Sequence, residues 1–320
     1  MLKYPIAIEI DLTFNCNYSC IYCRNGLIED SKELDIKVIK RLLDEAKENK
    51  VFNINISGGE PTTHSCFKEI VKYLGEKNLI WNLTTNGSLL DSDLVILLKA
   101  NNVNSIFITL SGMSEATDNY HKKAKNTFGQ ALKAIDLCLQ HNIFVYVGFL
   151  LTPKNISEID QFIELVKHKG LKAKLMRVKN AGSSINNKDL HIENNKFTQV
   201  QKKMIQELKE DFIIGEQNQK IEQLNCMAGK ISCVIGADYQ VYPCVMFLGE
   251  EQLGCGSIKN ETLYNIWNTS EMLKEFRGDR IYLDACDRCG KKEICNGGCR
   301  ANAFIKYGNH KYIDGECDYV

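Results

Sequence analysis

The 320-residue sequence predicts an α/β protein in which an open, partial (β/α)6 barrel of TIM-like type precedes a small cysteine-rich domain. Three observations predict this fold. Strand and helix patterns alternate six times before about residue 180, cysteine-, glycine- and hydroxyl-containing motifs follow the predicted strands, and nine of the fourteen cysteines lie after residue 225. Strand–helix alternation predicts a parallel sheet, and six units are too few to close an eight-stranded barrel. We expect domains at 1–180 and 226–320, with a connecting segment containing an amphipathic helix at 181–225.

The predicted strands are short apolar runs separated by amphipathic helices. Apolar and other residues alternate in the first run, which is the period of a strand with one buried face. The clearest helix covers residues 128–139, where apolar residues recur at the spacing of one buried helical face. The six predicted strands are 6–12, 51–57, 80–85, 105–110, 143–151 and 173–178.

The first strand leads into three cysteines, Cys16, Cys20 and Cys23, at C-x3-C-x2-C spacing. Cysteine is the usual ligand of [4Fe–4S] clusters, and three thiolates leave one iron open. The loop resembles that of the radical SAM superfamily. That resemblance implies that the open iron binds S-adenosylmethionine (SAM) and that Tyr22 contacts its adenine. The alternatives are a zinc loop or cysteines of the core.

The loops after the following strands extend this resemblance. Gly58, Gly59 and Glu60 resemble the GGE motif, in which glycine lets the backbone approach a ligand and the carboxylate accepts hydrogen bonds from the SAM ammonium. An ordinary strand-to-helix turn is the alternative. Loops after parallel strands meet at one rim of a barrel. The remaining expected SAM contacts there are Thr85 and Asn86 at the ribose, Ser111, and Arg177 at the carboxylate, although Arg177 could also be a solvated rim charge.

The C-terminal cysteines have a spacing that resembles the SPASM extension of radical SAM enzymes. The Cys-Met-Ala-Gly opening at 226–229 and the Val-Tyr-Pro-Cys hairpin at 241–244 belong to the same pattern. The resemblance implies two auxiliary [4Fe–4S] clusters, hence three in the whole chain. Cys233 could instead be a buried strand residue, and zinc is the alternative for residues 286–299. The implied ligands are Cys226, Cys233, Cys244 and Cys299 for the first cluster, and Cys286, Cys289, Cys295 and Cys317 for the second.

Three cysteines remain outside these sets. Cys66 and Cys138 match buried helix faces, where free cysteine behaves as a small apolar residue. Cys255 is the one cysteine of the C-terminal domain outside the implied ligand sets. It would serve either as a hydrogen donor in a redox-neutral epimerisation or as a packed core thiol.

Composition bears on the protein's partners and on the compartment in which it works. Forty basic and forty acidic residues balance, so charge gives no indication of nucleic acid or an anionic membrane as partner. The longest apolar runs are strand-length, and the N-terminus lacks a signal-peptide pattern. We therefore expect a cytoplasmic protein, and in a reducing compartment fourteen cysteines indicate metal ligands rather than disulfides.

The family resemblance implies an enzyme that cleaves SAM to a 5′-deoxyadenosyl radical and abstracts hydrogen from a ribosomally made peptide. The outcome would be a thioether or C–C cross-link, or an epimerised residue. Val245 stands where sulfatase-maturing relatives carry Asp, so sulfatase maturation is not expected. We expect electrons from a flavodoxin- or ferredoxin-type donor.

The first strand begins near Met1, so the sequence predicts no N-terminal leader-binding module. The barrel, the cluster domain or a separate leader-binding protein would then hold the peptide. One alternative is a small-molecule dehydrogenase or epimerase acting on a sugar or aminocyclitol. A non-catalytic iron–sulfur electron carrier is the other, and the motif at 58–60 argues against it because a carrier needs no SAM pocket.

Overall fold

The computed structural model describes residues 2–28, 32–211, 226–278 and 284–317. Within these residues one sheet of eight strands has the order β6-β5-β4-β3-β2-β1-β7-β8. All neighbouring pairs are parallel except β7 and β8, which are antiparallel. The strands are β1 Ala7–Asp11, β2 Asn53–Ser57, β3 Trp81–Thr85, β4 Val103–Leu110, β5 Phe144–Leu151, β6 Lys172–Arg177, β7 Ser232–Ile235 and β8 Val241–Tyr242.

Helices connect the parallel strands, and several begin at a capping side chain. Asp35, Asp91 and Ser114 each accept a hydrogen bond from a backbone N–H of the first turn, which satisfies donors that a helix start leaves unpaired. The helices are α1 Ile36–Glu48, α2 Phe67–Glu76, α3 Ser92–Ala100, α4 Glu115–Lys122, α5 Thr127–Gln140, α6 Ile159–Lys169, α7 Asn194–Leu208, α8 Leu263–Thr269, α9 Glu271–Arg277, α10 Asp284–Asp287, α11 Lys292–Cys295 and α12 Arg300–Tyr307. No helix in the described parts of the chain is long and apolar enough to cross a membrane.

All six predicted barrel strands are confirmed, with ends that differ by at most two residues. Strands β2 and β4 each differ by two residues at their start, and at β2 the reason is that the N–H of Val51 donates to the carbonyl of Ala46 at the end of α1 (2.9 Å). Val51 therefore belongs to the turn that ends helix α1, and strand β2 begins at Asn53. The predicted helices at 128–139 and within the connecting segment correspond to α5 and α7, and residues 212–225 of that segment lie outside the described residues.

Strand β1 has two chemically different faces. Ile8 and Ile10 are buried in the main apolar core, which lies between the sheet and the helices. Glu9 and Asp11 alternate with them and therefore occupy the opposite, interior face of the barrel. The interior thus receives charged side chains, whereas the helix-facing layer is apolar.

The sheet continues across the predicted domain boundary at residue 226. Strand β7 pairs in parallel with β1, with Ile8 opposite Cys233 and Glu9 opposite Val234. The C-terminal region therefore adds two strands to the barrel sheet instead of folding beside it. The sequence does not predict this pairing, because β7 has four residues and β8 only two, too few for a clear strand pattern.

Candidate active site

The cysteine loop lies at the carboxyl end of β1 and is held by helix α4. The N–H of Ser19 donates to the carbonyl of Lys122 (3.3 Å), and the N–H of Ile21 donates to that of His121 (2.9 Å). Within α4, Lys122 forms a buried ion pair with Asp118 (2.9 Å), whose other oxygen accepts from the N–H of Ser111 (2.7 Å). A buried, charge-paired helix end therefore positions the loop.

The three thiols of this loop are neighbours. Cys16 is exposed, and Cys20 and Cys23 are half-buried. Burial raises the pKa of Cys16 to about 11 and that of Cys20 to about 12, and a charge on Cys23 raises both further. Iron binding must therefore displace their protons.

In the described ranges no three His, Cys, Asp or Glu side chains converge as ligands of a single metal ion. A four-iron cluster differs in its requirement, because each thiolate of the loop binds a different iron.

Gly58 and Gly59 pack against the segment that precedes Cys16. A Cβ on Gly59 would lie 2.3 Å from the carbonyl oxygen of Asn15, and one on Gly58 would lie 2.5 Å from that of Thr13. The N–H groups of Gly59 and Glu60 donate to the same two carbonyls, each at 2.8 Å. The close approach that requires glycine is therefore to the chain's own cysteine loop.

The Glu60 carboxylate is fully buried and joins three segments. Its oxygens accept hydrogen bonds from the N–H and hydroxyl of Thr62 (3.1 and 2.6 Å), the hydroxyl of Thr85 (2.7 Å) and the N–H of Asn86 (2.7 Å). Burial raises the pKa of Glu60, while these donors lower it. Three of these donors share Oε1 and one, the N–H of Asn86, reaches Oε2, so these bonds crowd one oxygen and leave the other with room for a further donor.

Two further predicted residues lie beside the cysteine loop. Asn86 donates to Asn17 of that loop (2.8 Å), and Tyr22 shares a 2.7 Å hydrogen bond with Ser111. Tyr22 and Ser111 come from the ends of β1 and β4 and meet through this bond. The predicted rim is thus built from the loops that follow several parallel strands.

A charged cluster inside the barrel was not among the predicted site residues. The Arg24 guanidinium lies 3.3 Å from both Glu9 and Asp11, and Asn25 donates to Asp11 (3.3 Å). Burial raises the pKa of Asp11 to about 6, while Arg24 lowers it. The available signal was the carboxylates that alternate with isoleucines along β1.

The C-terminal cysteines divide into groups. Cys226, Cys244 and Cys299 pack against one small apolar core, and charges on Cys226 and Cys299 both raise the pKa of Cys244. Cys233 lies apart from them, buried in the main core next to Cys255.

The other four cysteines, Cys286, Cys289, Cys295 and Cys317, are half-buried in the last segments of the described chain. Asp314 donates its N–H to the carbonyl of Gly297 (2.7 Å) and accepts from the N–H of Cys299 (2.9 Å). The N–H of Cys317 donates to the carbonyl of Asp314 (3.2 Å), so the end of the chain is held close to the segment after Cys295.

Comparison with known proteins agrees with this geometry. The profile described as "Radical SAM superfamily" matches residues 10–166, and that described as "Iron-sulfur cluster-binding domain" (SPASM) matches residues 226–290. The chain is a radical SAM enzyme with a SPASM domain.

Its relatives share this organisation over most of their length. The chain is 26% identical over 318 residues to the mycofactocin maturase MftC of Mycolicibacterium smegmatis, covering 95% of this chain and 80% of that protein. It is 25% identical over 346 residues to the AdoMet-dependent heme synthase of Methanosarcina barkeri, covering 100% and 98%. The fold matches that of Streptococcus suis SuiB bound to precursor peptide SuiA, with a TM-score of 0.81, 17% identity and coverage of 98% and 75%.

Two further predicted site residues, Arg177 and Cys255, make contacts within the protein. Arg177 donates to Asn194 (2.6 Å) and lies 4.5 Å from the Phe197 ring, both on α7. It shares its strand face with Leu175 of the main core, whereas Met176 on the opposite face packs near Tyr22. In this structure Arg177 thus joins β6 to α7, and its contact with the SAM carboxylate stays a prediction.

For Cys255, the structure favours the second of the two expected roles, a packed core thiol, over a hydrogen donor. The Cys255 thiol is buried in the main core with Trp267 and Leu273, and burial raises its pKa to about 12. A hydrogen donor must reach the substrate, and this core is the helix-facing layer. Cys138 is a fully buried core residue, as predicted, while Cys66 is only half-buried at the start of α2.

Proposed function

We propose that this radical SAM enzyme modifies a ribosomally made peptide by abstracting a hydrogen atom from it. The observation that carries the proposal is the similarity along 95% of the chain to a maturase, MftC, together with a fold like that of SuiB, which was solved with a precursor peptide. SAM, once bound, supplies the 5′-deoxyadenosyl radical that performs the abstraction.

The chain's residues supply the setting for that chemistry. We propose Cys16, Cys20 and Cys23 as ligands of the SAM-binding [4Fe–4S] cluster, whose loop α4 holds in place. Tyr22 and Ser111, joined at 2.7 Å, would line the adenosyl site, and Asn86 the ribose site. Glu60 joins the loops after β2 and β3, so its contact with SAM would have to add to four existing hydrogen bonds.

The barrel interior fits a polar peptide backbone. Arg24 pairs with both Glu9 and Asp11 at 3.3 Å and keeps 27% of its side chain exposed. It can donate to a substrate carbonyl or carboxylate and so help fix the reacting C–H group. The protein's contribution is thus orientation and exclusion of water.

The C-terminal cysteines are proposed as ligands of two auxiliary [4Fe–4S] clusters, which would accept one electron from the substrate radical. The second auxiliary cluster would use Cys286, Cys289, Cys295 and Cys317. A flavodoxin- or ferredoxin-type protein would supply electrons, and a separate leader-binding protein could assist the peptide. The similarity to the AdoMet-dependent heme synthase keeps a small-molecule substrate as the second candidate.

The test is anaerobic reaction of the reconstituted enzyme with SAM, a reductant and a candidate precursor peptide, such as any short peptide encoded beside its gene, in heavy water. A mass loss of about two hydrogens would indicate an oxidative cross-link, and a gain of about one mass unit would indicate epimerisation. The control is a Cys16→Ala, Cys20→Ala, Cys23→Ala variant, which should release no 5′-deoxyadenosine. An unmodified peptide with continued 5′-deoxyadenosine release would contradict that peptide as substrate and favour the small-molecule alternative.

A further inference from the structure

We propose that the first auxiliary cluster has only three cysteine ligands, Cys226, Cys244 and Cys299, and that Cys233 is a core residue. One iron of this cluster then remains available to a donor that is not a cysteine. The inference rests on the proposed binding of auxiliary clusters and changes the ligand set that the sequence suggested.

The strand register decides the direction of the Cys233 side chain. In parallel pairing, β7 places Cys233 beside Ile8 and Val234 beside Glu9. Paired residues of neighbouring strands project to the same face of a sheet, and successive residues project to opposite faces. Cys233 therefore shares the helix-facing side with Ile8, while Val234 shares the interior side with Glu9.

The packing on each face agrees with this register. Cys233 is 1% exposed and belongs to the same apolar core as Ile8 and Ile235. Val234 belongs to the smaller core against which Cys226, Cys244 and Cys299 pack. The sheet itself thus separates the Cys233 thiol from the three other thiols.

The neighbours of Cys233 are those of a buried core residue. Its electrostatic neighbours are Cys255 and Arg277, and Cys233 in turn acts on Tyr4. Arg277 donates to the carbonyls of Gly229 (2.7 Å) and Trp267 (2.8 Å), which fixes it in this layer. To ligate the cluster, Cys233 would have to leave this core and shift β7 by one residue, which would also reverse Val234 and Ile235.

The three-thiol site lies near the barrel interior. Val234 lies beside Glu9, an interior residue of β1, and belongs to the small apolar core against which Cys244 packs. A donor for the fourth iron can therefore come from a molecule held in the barrel. Iron in such clusters favours thiolate, and carboxylate oxygen is a second class of anionic donor.

Iron content tests the ligand set without SAM or a peptide. The measurement uses the full chain carrying Cys16→Ala, Cys20→Ala and Cys23→Ala, which leaves about eight iron atoms in two auxiliary clusters. Adding Cys233→Ala should leave iron unchanged, as should Cys138→Ala, a matched change at another fully buried core cysteine. Adding Cys226→Ala should remove up to about four iron atoms. Equal iron loss in the Cys233 and Cys226 variants, with an unchanged circular dichroism spectrum, would overturn the proposal.

A second measurement keeps native Cys233 and so does not depend on how its variant folds. In the same three-alanine background, reduced protein is mixed with ¹³C-cyanide and studied by electron–nuclear double resonance. Hyperfine coupling from bound ¹³C is expected if one auxiliary iron lacks a cysteine. Absence of coupling would contradict an available iron. Because neither measurement uses SAM cleavage, a failure here leaves the proposed peptide chemistry to its own test.

Discussion

Replacing Gly59 by alanine should displace the cysteine loop and suppress SAM cleavage. Gly59 does not have the left-handed backbone conformation that favours glycine, so an alanine there causes no backbone strain. It is disfavoured only by the steric clash of its Cβ with neighbouring atoms. Its Cβ would lie 2.3 Å from the carbonyl oxygen of Asn15, the residue before Cys16, whereas ordinary contact begins at 3.4 Å. The two backbone segments must therefore separate by about 1 Å, which stretches the hydrogen bonds that Gly59 and Glu60 donate to residues 13 and 15.

A misplacement of about 1 Å at a catalytic group can cost about 100-fold in rate. We therefore expect Gly59→Ala to reduce 5′-deoxyadenosine formation about 100-fold under saturating SAM and reductant. The matched control is Gly170→Ala, where a Cβ meets nothing within 4 Å. That control should keep the rate within about twofold despite strain of about 1 kcal/mol from its left-handed backbone. A Gly59→Ala enzyme that retains more than about a third of the rate would refute the steric reasoning.

Two other predictions concern buried charge. Lys122→Met breaks the buried ion pair with Asp118 and should lower the free energy of unfolding by about 3–5 kcal/mol, seen as a large fall in Tm. The solvated Lys77→Met change should leave Tm almost unaltered. The pKa of Asp11 is about 6 in the folded protein, above its ordinary value of 3.8, so folding favours the protonated carboxyl. The free energy of unfolding therefore falls as the pH rises from 3.8 through about 6. Tm of the anaerobic protein should therefore decrease from pH 5 to 7, and Asp11→Asn should flatten this dependence. Equal slopes of Tm against pH in the two proteins would contradict a raised pKa of Asp11.

The barrel could be predicted from the sequence because its signals are local. Each strand carries an apolar run and each connection a helical period, and all six strands formed within two residues of the expected ends. The SAM-site loops could be located for the same reason, since each motif directly follows a strand. The contacts that Gly58, Gly59 and Glu60 make within the protein could not be read from the motif, because their partners come from other segments of the chain.

The sequence by itself determined the chemistry of this protein: three thiols on one loop after the first strand, and a second group of cysteines in a short C-terminal segment. Such motifs specify ligand types and their spacing, which are local properties. Only the tertiary structure decided which side chains face one another. The register of β7 on β1 places Cys233 on the helix-facing side, Cys255 lies in the same core, and Arg177 contacts α7. Strand pairing and helix docking join distant segments, and a one-residue change of register reverses every side chain, so spacing alone could not reveal these directions.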